Sequence, residues 1–156
     1  MATRLNYTSK AATGAYRAMS QLEHYVKNSG LEAPLLELVK IRASQINGCA
    51  YCIDMHTKDA RAAGESEQRI YLLSAWQEAP FYSERERAAL EWTEALTLIA
   101  DNHVPDDIYK RVSAHFTEEE LVNLTLAVVT INGWNRISIS FRSEPGTYQP
   151  QQAINH

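Results

Sequence analysis

The stretch Glu37-Leu38-Val39-Lys40-Ile41-Arg42-Ala43-Ser44-Gln45-Ile46-Asn47-Gly48-Cys49-Ala50-Tyr51-Cys52 decides how the rest of the chain reads. Leu36, Val39, Ala43 and Ile46 recur at three- and four-residue spacing, the pattern of a helix with an apolar stripe. Pro34 stands ahead of them, where a helix start tolerates proline, and Asn47-Gly48 offers the left-handed residue that stops a helix. A further helix then carries Cys49, Cys52 and His56 and stops at Gly64. The pattern is helix, glycine, helix, with the only 2 cysteines of the chain at the joint.

Working outward, the same punctuation continues. Residues 9 to 28 carry Ala12, Ala15, Met19, Leu22 and Val26 at helical spacing and stop before Gly30. Ser66 caps a helix with Ile70, Leu72, Leu73 and Trp76 inside and Pro80 at its end. Ser83 with Glu86 is a capping box for a helix reaching about residue 100, and Pro105 opens a short one. Thr117 with Glu120 is a second box, leading into Leu121 to Ile131, apolar almost all round and therefore read as a central, buried helix. Ile137 to Phe141 alternates in the manner of a short strand, and the tail from Ser143, with Pro145, Gly146, Pro150 and glutamines, reads as loop or disordered. Together these signals predict an all-α domain of six to seven helices over residues 1–142 and a tail over 143–156. Ile46-Asn47-Gly48 recurs as Ile131-Asn132-Gly133. A duplicated helical hairpin is one reading of that echo, chance the other. In the second copy Trp134, Ile137 and Phe141 fall at the positions of Cys49, Cys52 and His56.

A chain of 156 residues can bury a core without disulfide staples. Net charge is -4 and no run of Lys or Arg exceeds two residues, which argues against nucleic acid or an anionic membrane as partner. No apolar run approaches the ~18 residues of a membrane helix and the N-terminus has no apolar export core, so a cytoplasmic location is expected. In that compartment a lone Cys-x-x-Cys is more often catalytic or metal-binding than a permanent staple.

At about 100° per residue, Cys52 lies about 60° round the helix from Cys49, and His56 about 40° from Cys52, so all three share a face. Cys49 follows Gly48 in the first turn, where free amides and the helix dipole favour a thiolate. His56 is within reach to accept or return a proton. A thiolate at either position can attack a peroxide oxygen or a disulfide, and the second thiol then closes the pair. Two rivals stand beside this: buried, inert cysteines, and a zinc site using Cys49, Cys52 and His56, which lacks an evident fourth ligand. By periodicity Glu37 sits off the apolar stripe with Lys40 and Ser44, as a solvated glutamate would. His24 and His115 read as surface or packing residues. His103 and His156 carry no role, and Trp76, Trp92 and Trp134 read as core or subunit contacts. Arg136 is expected to pair with a carboxylate.

The spacing of Glu37, Cys49, Cys52 and His56 resembles the carboxymuconolactone decarboxylase superfamily in its alkylhydroperoxidase D (AhpD-like) branch. The likeness extends to Ser83-Glu84-Arg85-Glu86-Arg87-Ala88-Ala89-Leu90-Glu91-Trp92 and Ile131-Asn132-Gly133-Trp134-Asn135-Arg136, covering roughly residues 5 to 142. The resemblance implies an AhpD-like all-α fold and a lipoyl-linked peroxidase acting on small organic hydroperoxides or hydrogen peroxide. It implies Cys52 as the attacking thiol, Cys49 as the resolving one, and Glu37 with His56 as a proton relay. It also implies an external dihydrolipoyl dithiol on a partner protein, with no bound cofactor or metal. Dipole reasoning alone favours Cys49 as the more acidic thiol. One departure stands out: Tyr51 occupies the position where such enzymes carry a histidine, and a phenol is a poor base at neutral pH, which leaves Tyr51 only a candidate relay. The competing functions are a redox sensor or disulfide reductase without efficient peroxide turnover, and a decarboxylase-type lactone enzyme. Several wide apolar faces, with the family habit, predict a homo-oligomer, a trimer or dimer-based hexamer.

Overall fold

The computed structural model describes residues 2–10 and 13–150, so Ala12, the tail glutamines Gln151 and Gln152, and His156 lie outside the described residues. Within them all regular structure is helical: α1 (Thr13–Lys27), α2 (Ala33–Asn47), α3 (Ala50–Ala62), α4 (Glu67–Leu72), α5 (Glu84–Thr97), α6 (Ile99–Asn102), α7 (Asp106–Ser113) and α8 (Glu118–Phe141). A 3-10 turn, Leu73–Ala75, extends α4. The expected stops and starts hold where local chemistry sets them. Pro34 opens α2, Ser66 accepts the Arg69 N–H, and both capping boxes close reciprocally, Ser83 with Glu86 and Thr117 with Glu120.

Two predicted helices break, and the second break, which adds α6, takes the eight α-helices among the described residues past the six to seven expected. The one after Ser66 tightens to 3-10 before Trp76, and the one after Ser83 ends at Thr97, with α6 following and His103 left-handed at φ 54°. The third difference is larger. Asn132-Gly133 does not close a helix: α8 runs straight through it, and Ile137 to Phe141 is its last turn, not a strand. The two halves of the proposed repeat therefore differ in backbone.

The helix that others surround is α2. Leu35, Leu36, Leu38, Val39, Lys40, Ile41, Ala43 and Ser44 are all buried, and α3, α5 and α8 pack against it. Leu36 and Val39 join a core with Val26, Trp92, Leu124 and Val128, whereas Leu38 and Ile41 join a second core with Ala60, Leu73, Trp76 and Leu90. Burying each such aliphatic side chain stabilises by roughly 1.5–3 kcal/mol relative to exposure. The start of α8 is less enclosed than its composition predicts: Val122 and Val129 are 67% and 55% exposed. They share one stripe, and Leu121, Leu124, Ala127, Val128 and Ile131 on the opposite side take the core contacts. No helix among the described residues is long and apolar enough to cross a membrane.

Candidate active site

The joint between α2 and α3 positions the cysteines. Gly48 adopts φ 68°, ψ 33°, the left-handed region that glycine enters without penalty. Its N–H and that of Cys49 turn back to the Gln45 and Ser44 carbonyls, at 3.3 and 3.0 Å. The chain reverses, and Cys49 becomes the N-cap of α3, one residue ahead of the first-turn position expected for it. Its Sγ accepts the Cys52 N–H at 3.4 Å. Cys49 and Cys52 are joined as a disulfide, with Cα atoms 5.3 Å apart. Both are almost wholly buried, but Cys52, and not Cys49, lines a cavity of about 410 Å³.

A buried amide network fixes this joint to α8. Asn47 Nδ2 donates to Asn132 Oδ1 (3.0 Å) and Asn135 Oδ1 (2.9 Å), and Asn135 Nδ2 donates to Ser44 Oγ (2.9 Å). Asn132 also donates to Thr97 Oγ1 at 3.0 Å. The two echoing asparagines thus hydrogen-bond to each other across the core. Arg136 has no carboxylate partner among the described residues; it donates to the backbone and side-chain oxygens of Asn132.

Glu37 is not a solvated surface residue. Its Oε2 lies 2.9 Å from Nδ1 of the buried His56, and its Oε1 lies 3.5 Å from Lys40 Nζ. Lys40 is 5% exposed and donates to Glu23 at 2.5 Å. Periodicity misled here because, from Leu35 onward, no residue of α2 is exposed. Burial opposes charge on Glu37, yet the His56 hydrogen bond and the Lys40 ammonium overcome it and hold the carboxyl below its ordinary value. Lys40 likewise is disfavoured by burial, but Glu37 and Glu23 raise it above its ordinary value. The result is an ordered chain of polar contacts, Glu23–Lys40–Glu37–His56, ending one helical turn from Cys52. Neither Glu23 nor Lys40 was singled out from sequence. The available signal was Lys40 at i+3 from Glu37 on a helix dense in Leu, Val and Ile.

Asp59, also missed, completes the surroundings of His56. Ligand-capable atoms of Glu37, His56 and Asp59 lie within 4.8 Å of one another. This set excludes the cysteines, which are bonded to each other, so it is not the Cys49–Cys52–His56 zinc arrangement. The Lys40 ammonium against Glu37 also disfavours a cation there. Asp59 accepts the Tyr148 hydroxyl at 2.8 Å. Burial and that carboxylate push the Tyr148 phenol up to about 12. The tail ahead of residue 151 is therefore an anchored loop: Gly146 N–H donates to Asp54, and Lys58 Nζ reaches the Gly146 and Tyr148 carbonyls.

Aromatic side chains supply another part of the cavity wall. Tyr7, Tyr16, Tyr51 and Trp134 line it. Trp134 is therefore partly buried in the cavity wall and not a core residue, whereas Trp76 and Trp92 are buried with their indole N–H groups donated to Glu94 and Thr125. Tyr51 makes no side-chain hydrogen bond among the described residues, and burial raises its phenol above the ordinary value. It is placed beside the site but not in the Glu37–His56 couple. His24, His103 and His115 are exposed, outside the cavity.

Comparison with known proteins bears on this arrangement. A family model described as the carboxymuconolactone decarboxylase family matches residues 13–95. The uncharacterized protein YdfG of Bacillus subtilis is 52% identical over 140 residues, covering 90% of this chain and 95% of that one. A crystal structure from Agrobacterium tumefaciens is 50% identical with a TM-score of 0.90, covering 94% of this chain and 100% of the other. That protein is of unknown function and provisionally named an AhpD antioxidant defence protein. The AhpD core of a peroxidase-related protein from Ralstonia eutropha shares the fold at 18% identity, with a TM-score of 0.76 over 86% of this chain and 72% of that one. The family match over residues 13–95, with relatives 52% and 50% identical over most of their length, shows that the chain belongs to the carboxymuconolactone decarboxylase family, in its AhpD-like branch.

Proposed function

We propose that this protein is a cytoplasmic thiol peroxidase that reduces hydrogen peroxide or organic hydroperoxides through Cys52 and Cys49, recharged by an external dihydrolipoyl dithiol. The observation that carries the reading is that Cys52 is the sulfur in the cavity wall, while Cys49 lies behind it as the helix cap. In the reduced form the Cys52 thiolate attacks the terminal peroxide oxygen. The O–O bond breaks, and the leaving alkoxide or hydroxide takes a proton from His56, leaving Cys52 as a sulfenic acid. Cys49 then attacks the Cys52 sulfur, an S–S bond forms, and the oxygen departs as water. Two electrons from the external dithiol reopen the disulfide by thiol–disulfide exchange.

The ionised Glu37 holds Nδ1 of His56 and so leaves Nε2 to exchange the proton. Helix-start amides stabilise a thiolate on Cys49, which suits a resolving thiol that must wait ionised. Tyr51, without a partner, gets no proton-transfer role. The exposed Val122–Val129 stripe of α8 supports self-association as a trimer or dimer-based hexamer. The direct test is consumption of a hydroperoxide with dihydrolipoamide as donor. Turnover in the parent protein and none in Cys52→Ser is expected; turnover retained in that variant would remove Cys52 as the attacker.

A further inference from the structure

The cavity around Cys52 is built for more than a peroxide group. Its volume is about 410 Å³. Hydrogen peroxide is little larger than water, whose share of liquid volume is about 30 Å³, and would leave most of this space unfilled. The wall carries two chemistries. Cys52, His56, Glu37 and Lys40 supply the polar part, and Tyr7, Tyr16 and Trp134 supply a cluster of rings. Tyr16 meets Trp134 edge-on at 5.9 Å between centroids, and Tyr7 lies 6.3 Å from Tyr16 and 6.4 Å from Trp134. Such spacings are those at which aromatic groups attract.

The rings come from three separate parts of the chain, and each is held in place. Tyr7 belongs to the N-terminal segment, which is tied to the end of α8 by Arg4 N–H to the Phe141 carbonyl (2.9 Å) and Arg4 Nη1 to the Ser140 carbonyl (3.2 Å). Its hydroxyl lies 3.4 Å from Ser138 Oγ. Tyr16 is on α1, whose Met19 passes over the bare Gly133 of α8, next to Trp134. These rings are not core filler: Tyr16 is 41% exposed and Trp134 is only partly buried.

We infer that the substrate is a ring-bearing organic hydroperoxide, its apolar ring lodged among Tyr7, Tyr16 and Trp134 while its peroxide reaches Cys52. This rests on the peroxidase reading and names the substrate class of the same site. The ring-bearing group leaves as the corresponding alcohol, carrying one peroxide oxygen and the His56 proton, while the other oxygen stays on Cys52 as sulfenic acid.

The test compares kcat/KM for cumyl hydroperoxide, tert-butyl hydroperoxide and hydrogen peroxide in the parent protein, Trp134→Ala and Tyr16→Ala. The parent is expected to prefer the cumyl substrate. Each variant should lower the cumyl-to-hydrogen-peroxide ratio about tenfold or more, mainly through KM. Tyr16 is exposed enough that its replacement leaves folding intact if Trp134→Ala does not. A parent without ring preference, or a ratio unchanged in the folded variants, overturns the inference. Should no peroxide be turned over, the peroxidase reading fails separately. The pocket is then read by binding of 2-phenyl-2-propanol to the disulfide form, followed by indole fluorescence. Saturable binding weakened about tenfold in Tyr16→Ala supports a ring site, and no binding, or binding unaffected by that change, rejects it.

Discussion

Ile46-Asn47-Gly48 and Ile131-Asn132-Gly133 are the same tripeptide with opposite fates. In the first, Gly48 turns left-handed, α2 ends, and a new helix starts with a cysteine as its cap. In the second, Gly133 stays helical inside α8, and its missing side chain makes room for Met19, whose Cε would lie 2.9 Å from an added Cβ. Local sequence leaves both outcomes open, and surroundings choose between them. Asn47 finds its partners across the core in Asn132 and Asn135, so the joint is fastened by the very helix that resembles it. Cysteine chemistry belongs to the broken copy because only a helix start offers Cys49 free amides and brings Cys52 to the cavity. The unbroken copy offers Trp134 to the same cavity instead.

Changes at the two copies test that contrast, the largest effect first. Cys52→Ser is expected to cut hydroperoxide turnover at least about a thousandfold, measured with dihydrolipoamide as donor. Glu37→Gln leaves His56 without its anionic partner and should lower kcat/KM about a hundredfold. It also changes acid stability. The carboxyl is held below its ordinary value of 4.5, so the ionised form contributes stability above that pH which is lost as pH falls through the folded value. The glutamine variant should therefore show a shallower fall in Tm on acidification below about 4.5; an unchanged slope would show that Glu37 is not held ionised by the fold.

Asn47→Ala strips the joint of its two bonds and leaves Asn135 Oδ1 buried without its donor, a cost of roughly 1–3 kcal/mol in denaturant unfolding. Gly48→Ala forces a Cβ into φ 68° and should destabilise by about 1–2 kcal/mol. Gly133→Ala should come out within about 0.5 kcal/mol of the parent, since better helix propensity offsets displacement of the flexible end of Met19. Equal losses at the two glycines would erase the contrast drawn above.

Much of the architecture was legible because helix starts are written locally. Ser66, Ser83 with Glu86, Thr117 with Glu120, and Pro34 each satisfy or remove an orphan amide within three residues. Stops were less legible: the Gly48 and Gly64 stops were readable, whereas the same logic at Gly133 failed because contacts with α1 and α2 hold α8 together. At the site, the grouping of the cysteines and His56 followed from spacing, and Glu37 followed from the family likeness. Glu23, Lys40 and Asp59 did not, because charged residues buried by neighbouring helices look like a solvated face until the neighbours are known. Tyr7 and Trp134, far apart in sequence, meet only through tertiary packing.

The central claim is that Cys52 takes the peroxide oxygen. Cys49→Ser, reduced and then given a limiting amount of cumyl hydroperoxide, should yield the alcohol and a sulfenic acid on Cys52 that a dimedone probe traps and peptide mass spectrometry locates. Alcohol formation without a modified Cys52, or no consumption of the hydroperoxide by the reduced thiol, contradicts the account.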